Sequence, residues 1–235
     1  MFEVVPNLDD YDSYQEKMVC EICTVNELMN MSVNCTHLTV KSHCLNDVVI
    51  AFNLNAYPNL QMVQVDEWSL RKSPALILNG LKHLKRVTVE KNSFTEMTSS
   101  EVPNTVFTQN KRVVLKHLPS LEAFSAGENA FSDFIQFVTK DLPELTSLTF
   151  GVSTSNLADY SNNFYWASQL KLTNLPKLKT LLIGNYGFSG VDYLTLSELQ
   201  SLESIEFGHG AFYGYSTQCA VDSSVTLDSK DIRRR

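Results

Sequence analysis

Six copies of one eleven-residue pattern run through this chain, each opening on a leucine. The pattern is Leu-x-x-Φ-x-Φ-x-x-Asn-x-Φ, where Φ is apolar. The copies are Leu60–Leu70, Leu84–Phe94, Leu121–Phe131, Leu145–Ser155, Leu178–Phe188 and Leu202–Phe212. The fourth is the weakest, because it closes on serine. The opening leucines stand 24, 37, 24, 33 and 24 residues apart. A recurring period of 24 marks a chain of stacked supersecondary units, none of which can bury its apolar side alone. Such a chain folds as a solenoid, which offers an extended surface and no ready-made active site.

Upstream of each opening leucine sits a second pattern, Φ-x-Φ-x-x-Φ, as in Leu76, Leu78, Leu81 and Leu170, Leu172, Leu175. Alternation over three residues reads as a short strand. Pro58, Pro119, Pro143 and Pro176 follow it in four copies, and proline there fixes φ at a turn. Each repeat is thus expected to hold two short strands and two turns. An earlier, imperfect copy is placed at Leu38-Thr39-Val40, with Cys35 in the opening-leucine slot. A further one is expected to begin at Val225-Thr226-Leu227. The phenylalanines Phe94, Phe131, Phe188 and Phe212 are expected to stack along the edge of the core.

Before the array, Asp12–Met31 has near-helical apolar spacing, and Ser13-x-x-Glu16 has the form of a capping box. The expectation is an N-terminal helical cap over residues 1–37 and a repeat array over 38–235. Spacings of 37 and 33 against 24 leave 13 and 9 extra residues. These insertions are placed in 95–112 and 153–169. Both are expected to leave the repeat at about the same point, just after the second strand, and so to emerge on the same edge.

Composition narrows the partners. The net charge is −7, which argues against nucleic acid or an anionic membrane. No run of 18 apolar residues exists to span a membrane. Met1–Asp12 carries Glu3, Asp9 and Asp10 and no basic stretch, unlike a signal peptide. The location is left open by the sequence, with the cytoplasm favoured.

Little in the chain points to chemistry. Cys20-x-x-Cys23 with Cys35, Cys44, His37 and His43 has poor zinc spacing, because the first pair falls on the expected helix. Five cysteines are too few and too odd in number for a disulfide scaffold, so reduced, packed thiols are expected. His37, His43, His83, His117 and His209 lack a catalytic constellation, and no nucleophile elbow or phosphate loop appears. The expectation is no catalytic residue, no bound metal and no cofactor. Asn30-Met31-Ser32 and Asn34-Cys35-Thr36 are glycosylation sequons, which mean nothing without a secretory route.

The units Leu84-x-x-Val87-x-Val89-x-x-Asn92-x-Phe94 and Leu121-x-x-Phe124-x-Ala126-x-x-Asn129-x-Phe131 carry a resemblance to the leucine-rich-repeat superfamily over residues 38–227. Leu170–Leu178 and Ile183–Phe188 are similar to the large repeat families of protists. The resemblance implies a leucine-rich-repeat solenoid: α/β by convention, mostly β, with short parallel strands on concave and convex sides. It also implies recognition of a protein partner. The asparagine slot is occupied at Asn92 and Asn129 but holds Trp68, Ser153, Tyr186 and Gly210 elsewhere. Trp68 and Tyr186 read as core fillers. The expected function is non-enzymatic protein binding. The sheet would contribute Arg86, Thr88 and Glu90, and the second insertion Tyr160, Phe164, Tyr165 and Trp166. The competing reading folds those rings down to close the edge of the core. The alternative function is a surface-exposed adhesin or a structural segment of a longer protein.

Overall fold

The computed structural model describes residues 17–96, 110–152 and 160–213. Along the chain come β1 (Val19–Ile22), α1 (Val25–Met29), β2 (His37–Val40), β3 (Phe52–Asn53), β4 (Met62–Val65) and β5 (Ala75–Asn79). There follow β6 (Arg86–Val89), β7 (Arg112–Lys116), β8 (Ala123–Ala126), β9 (Gln136–Lys140) and β10 (Ser147–Phe150). The last are β11 (Gln169–Thr173), β12 (Thr180–Ile183), β13 (Tyr193–Ser197) and β14 (Ser204–Phe207). The architecture is a β-rich repeat fold of parallel strands with almost no helix.

The strands form one eight-stranded sheet, β1-β2-β4-β6-β8-β10-β12-β14. A four-stranded sheet, β3-β5-β7-β9, and a two-stranded sheet, β11-β13, complete the repeat. Met62 pairs with Arg86, Arg86 with Ala123, Ala123 with Ser147, Ser147 with Thr180, and Thr180 with Ser204. These steps reproduce the leucine spacing, because the leucine sits two residues ahead of every strand. Within a strand, alternate residues point in. Val63, Val65, Val87, Leu148 and Ile183 are fully buried, as are the opening leucines Leu60, Leu84, Leu121, Leu145 and Leu178.

The turns after β2, β4, β6, β8 and β12 of the large sheet each carry two residues of positive φ, two positions apart. They are His43 and Leu45, Trp68 and Leu70, Asn92 and Phe94, Asn129 and Phe131, and Tyr186 and Phe188. L-residues adopt this conformation only at a cost. Neighbouring turns offset it: the Trp68, Asn92 and Tyr186 amides donate to the carbonyls of Lys91, Glu128 and His209 at 2.7–3.2 Å. Between the two strained positions, Ser69 and Ser93 hydroxyls donate to the carbonyls of Lys41 and Asp66. These bonds tie one turn to the one before it.

The closing residues build the core spine. Phe94 stacks on Phe131 at 4.8 Å, Phe131 on Phe164 at 5.5 Å, Phe164 on Phe188 at 4.9 Å, and Phe188 on Phe212 at 6.2 Å. Phe164 was not among the expected closing residues. The fourth repeat closes on Asn162-Asn163-Phe164 instead of Ser153–Ser155. Asn162 and Phe164 carry the same pair of positive φ values as the other turns. Asn162 also donates its side-chain amide to the Asn129 side-chain oxygen at 3.0 Å, so the asparagine slot is occupied in a third repeat.

This displacement corrects the shared departure point expected of the two insertions. The next strand starts five positions after the closing residue at Leu70–Ala75, Phe131–Gln136, Phe164–Gln169 and Phe188–Tyr193, but eighteen positions after it at Phe94–Arg112. The first insertion therefore departs after its closing phenylalanine, and the second departs before its own. They do not share a departure point.

Two further expectations are corrected at the N-terminal end. Of the helix anticipated over Asp12–Met31, the described part holds β1 and only the five residues of α1. β1 adds to the large sheet beside β2, with Cys20 opposite Leu38. Strand pairing overrides the helical spacing, because an edge strand there caps the sheet with backbone hydrogen bonds. The capping box is real but sits at Thr24 and Glu27; Ser13 and Glu16 lie outside the described residues, as does Val225–Leu227. Four of the five cysteines are not free thiols, and Cys219 lies outside the described residues. Cys20 bridges Cys35 and Cys23 bridges Cys44, with Cα atoms 6.0 and 4.6 Å apart. Cys35 and Cys44 are buried, and their partners reach over from β1 and the residue just after it.

Candidate functional site

The outward face of the eight-stranded sheet is the broadest ordered surface. Because the strands share one register, each outward position becomes a straight column. Thr39, Gln64, Thr88, Ser125, Thr149, Leu182 and Glu206 make the central column from β2 to β14, all half-buried. Arg86 is exposed in the preceding column and Glu90 in the following one. The sequence-derived sheet residues Arg86, Thr88 and Glu90 thus stand together on one strand and its exit.

The two halves of this face differ. In the first, long side chains stand on it. Gln64 donates to Asp66 and to Glu90, both at 3.2 Å. Lys41 meets Glu21 at 2.9 Å, and Lys91 meets Glu67 at 3.3 Å. The hydrogen bond from Lys41 to Glu21 is the main reason the Lys41 amine stays above its ordinary value. These pairs are exposed and contribute little to stability. In the second half the exit column is Gly127, Gly151, Gly184 and Gly208, so no side chain stands there. The glycine is required at Gly208, because a Cβ would meet the Asn185 amide nitrogen at 2.5 Å.

The edge of the turns carries a second feature. Tyr160 is 45% exposed, and its ring lies 4.7 Å from Tyr186. Tyr186 in turn meets the exposed His209 edge-on at 5.5 Å. At the other end of the array, His43 stacks on Trp68 at 6.3 Å, and the Arg71 guanidinium lies 6.0 Å from the same indole. Trp68 and Tyr186 are half-buried on this edge, which corrects their reading as core fillers. Both fill the asparagine slot of the turn, whose positive φ turns the side chain along the edge. The slot was legible in the sequence but its positive φ was not, so Tyr186 was missed as a contact candidate; His209, one residue ahead of the slot, carried no signal.

The four rings assigned to the second insertion do not act together. Phe164 is fully buried in the spine, so it cannot touch a partner, and its place among the binding residues is corrected. Tyr165 and Trp166 pack edge to face at 5.2 Å, both half-buried. The Tyr165 backbone is bound on both sides, its amide to the Ser132 carbonyl and its carbonyl to the Gly190 amide. Of the four, Tyr160 alone is exposed. The root of the first insertion is also tied down. Arg71 donates to the carbonyls of Thr95 and Glu96, and Lys111 meets Asp133 at 2.6 Å with only 4% of the lysine side chain exposed.

Among the described residues, no group of three or more His, Cys, Asp or Glu side chains comes together as a metal site. No helix among them is long and apolar enough to cross a membrane. Comparison of the chain with protein-family models, with curated proteins and with solved structures finds no match.

Proposed function

We propose that the chain is a leucine-rich-repeat solenoid acting as a non-enzymatic protein-binding module. The observation that carries this reading is the common register of eight parallel strands, which turns isolated side chains into fixed columns. A rigid platform of this kind loses little conformational freedom on binding, so the cost of ordering an interface is low. Arg86, Thr88 and Glu90 supply polar recognition on the sheet. Tyr160 and Tyr186 supply aromatic area at its edge, the residue type that anchors interfaces.

The test is affinity capture with mass spectrometry, run side by side with the intact chain and two variants. One carries Ser125→Arg and Thr149→Arg, which fill the central column. The other carries Tyr160→Ala and Tyr186→Ala. The intact chain is expected to enrich a specific protein that both variants lose while keeping their strand content by circular dichroism. Equal capture by the intact chain and both folded variants, or no enrichment at all, rejects the reading.

A second reading, a surface-exposed adhesin or a structural segment of a longer protein, is favoured by one observation: the paired disulfides Cys20–Cys35 and Cys23–Cys44.

A further inference from the structure

Disulfides persist in oxidising compartments and are rare where cellular reductants keep thiols reduced. This chain places two of them in its first described turns, joining Cys20 to Cys35 and Cys23 to Cys44. The same stretch contains both Asn-x-Ser/Thr sequences of the chain, Asn30-Met31-Ser32 and Asn34-Cys35-Thr36. A sequon acquires meaning only on a secretory route, and the disulfides point to that route on separate grounds.

The geometry distinguishes the two asparagines. Asn30 ends α1, and its side-chain amide donates to the backbone and side-chain oxygens of Asn26 at 2.8 and 3.0 Å. A sugar on that nitrogen would disturb the helix end. Asn34 is exposed, and only its backbone is bound, donating to the Ser32 hydroxyl at 3.2 Å. Its side-chain amide makes no hydrogen bond among the described residues, so a sugar there displaces nothing. We propose that Asn34 carries an N-linked oligosaccharide. In the transfer, the Asn34 side-chain nitrogen forms a bond to the anomeric carbon of a lipid-linked oligosaccharide diphosphate. The carbon–oxygen bond to the diphosphate breaks, the lipid diphosphate leaves with that electron pair, and the amide gives up one proton.

The glycan would sit near one of the two edges of the large sheet. β1 is the edge of the large sheet, paired on one side only among the described residues. Around it Val19, Met29 and Val33 are 53%, 77% and 58% exposed. An unpaired edge beside exposed apolar side chains invites strand addition by another chain. Asn34 lies three residues ahead of β2, the strand that β1 pairs with, and a bulky hydrophilic group there covers the exposed Val33 beside it. This inference does not depend on the proposed binding function.

The test uses the natural protein isolated from its own cells. It is denatured with iodoacetamide before any reductant, digested, and treated with peptide N-glycosidase in heavy-oxygen water before mass spectrometry. The expected result is that Cys20, Cys23, Cys35 and Cys44 escape alkylation and that Asn34 is recovered as labelled aspartate. Alkylated, free cysteines overturn the oxidising route. Oxidised cysteines with unmodified Asn34, or with a glycan on Asn30 alone, overturn the assignment to Asn34.

Discussion

The ring of Phe164 joins the two halves of the aromatic spine, stacked between Phe131 at 5.5 Å and Phe188 at 4.9 Å with no exposure. Phe164→Ala opens a cavity among rings that cannot collapse around it, and is expected to cost about 3–5 kcal/mol of stability in a urea titration. Tyr160→Ala, on the exposed edge, is expected to stay within about 0.5 kcal/mol of the parent. Equal losses from the two would remove Phe164 from the spine. Fixed spacing hid this residue, because counting eleven positions from Leu145 lands on Ser155. The composition of the turn did mark it: Asn162-Asn163-Phe164 repeats the form of Asn92-Ser93-Phe94 and Asn129-Ala130-Phe131. Residue-level chemistry also sets a pH response. Glu27 accepts hydrogen bonds from the backbone amides of Cys23 at 2.7 Å and Thr24 at 2.9 Å, which hold its carboxyl below the ordinary value of 4.5. A lowered carboxylate contributes stability above its unfolded value and loses it as pH falls through the folded one. Protection of the Leu28 amide, which bonds the Thr24 carbonyl, is therefore expected to fall as pH drops below about 4.5. Glu27→Gln should flatten that dependence, as hydrogen exchange can show.

At the scale of elements, the N-terminal cap is where the sequence was least legible. Val19, Ile22, Val25 and Leu28 follow helical spacing, yet only the second pair lies in α1. Spacing cannot register that Cys20 and Cys23 reach Cys35 and Cys44, which flank β2 on its two sides, because that proximity exists only once β1 docks on β2. The strands of the array were legible for the opposite reason: their alternation and their period state the same register. In the cap, the disulfides close loops between partners 15 and 21 residues apart. Loops of that length restrict the unfolded chain enough to contribute about 2–4 kcal/mol each. Reduction is expected to speed hydrogen exchange in β1 and α1 while leaving β8, β10 and β12 protected. This follows because units of a repeat array depend mainly on their neighbours. Uniform loss of protection along the chain would show that the cap holds the whole array together.

Over the whole molecule, the two insertions are additions to a stack that does not need them. β8, β10 and β12 pair without a break in register across the second insertion. The chain leaves at Gly151, whose φ of +69° glycine adopts without steric cost, and it returns beside its own departure point. The Ser161 hydroxyl accepts from the Val152 amide at 2.9 Å and donates to the Val152 carbonyl at 3.1 Å, and a Cβ on Gly151 would collide with the Ser161 side chain. Ser161 also does what Lys91, Glu128 and His209 do elsewhere: its carbonyl accepts from the amide that opens the preceding turn, here Asn129 at 2.6 Å. Joining Gly151 directly to Ser161 would remove nine residues and restore the form Gly127-Glu128-Asn129 as Gly151-Ser161-Asn162. The repeat would return to a period of 24. That deletion is expected to keep the strand signal in circular dichroism and to change stability by no more than about 1 kcal/mol, since it shortens a loop whose ends already meet. The same variant loses Tyr160, so if the turn edge binds a partner it should fold normally and capture that partner poorly. Collapse of the deletion variant would mean that the insertion belongs to the core. Normal folding with undiminished capture would confine recognition to the sheet around Arg86, Thr88 and Glu90.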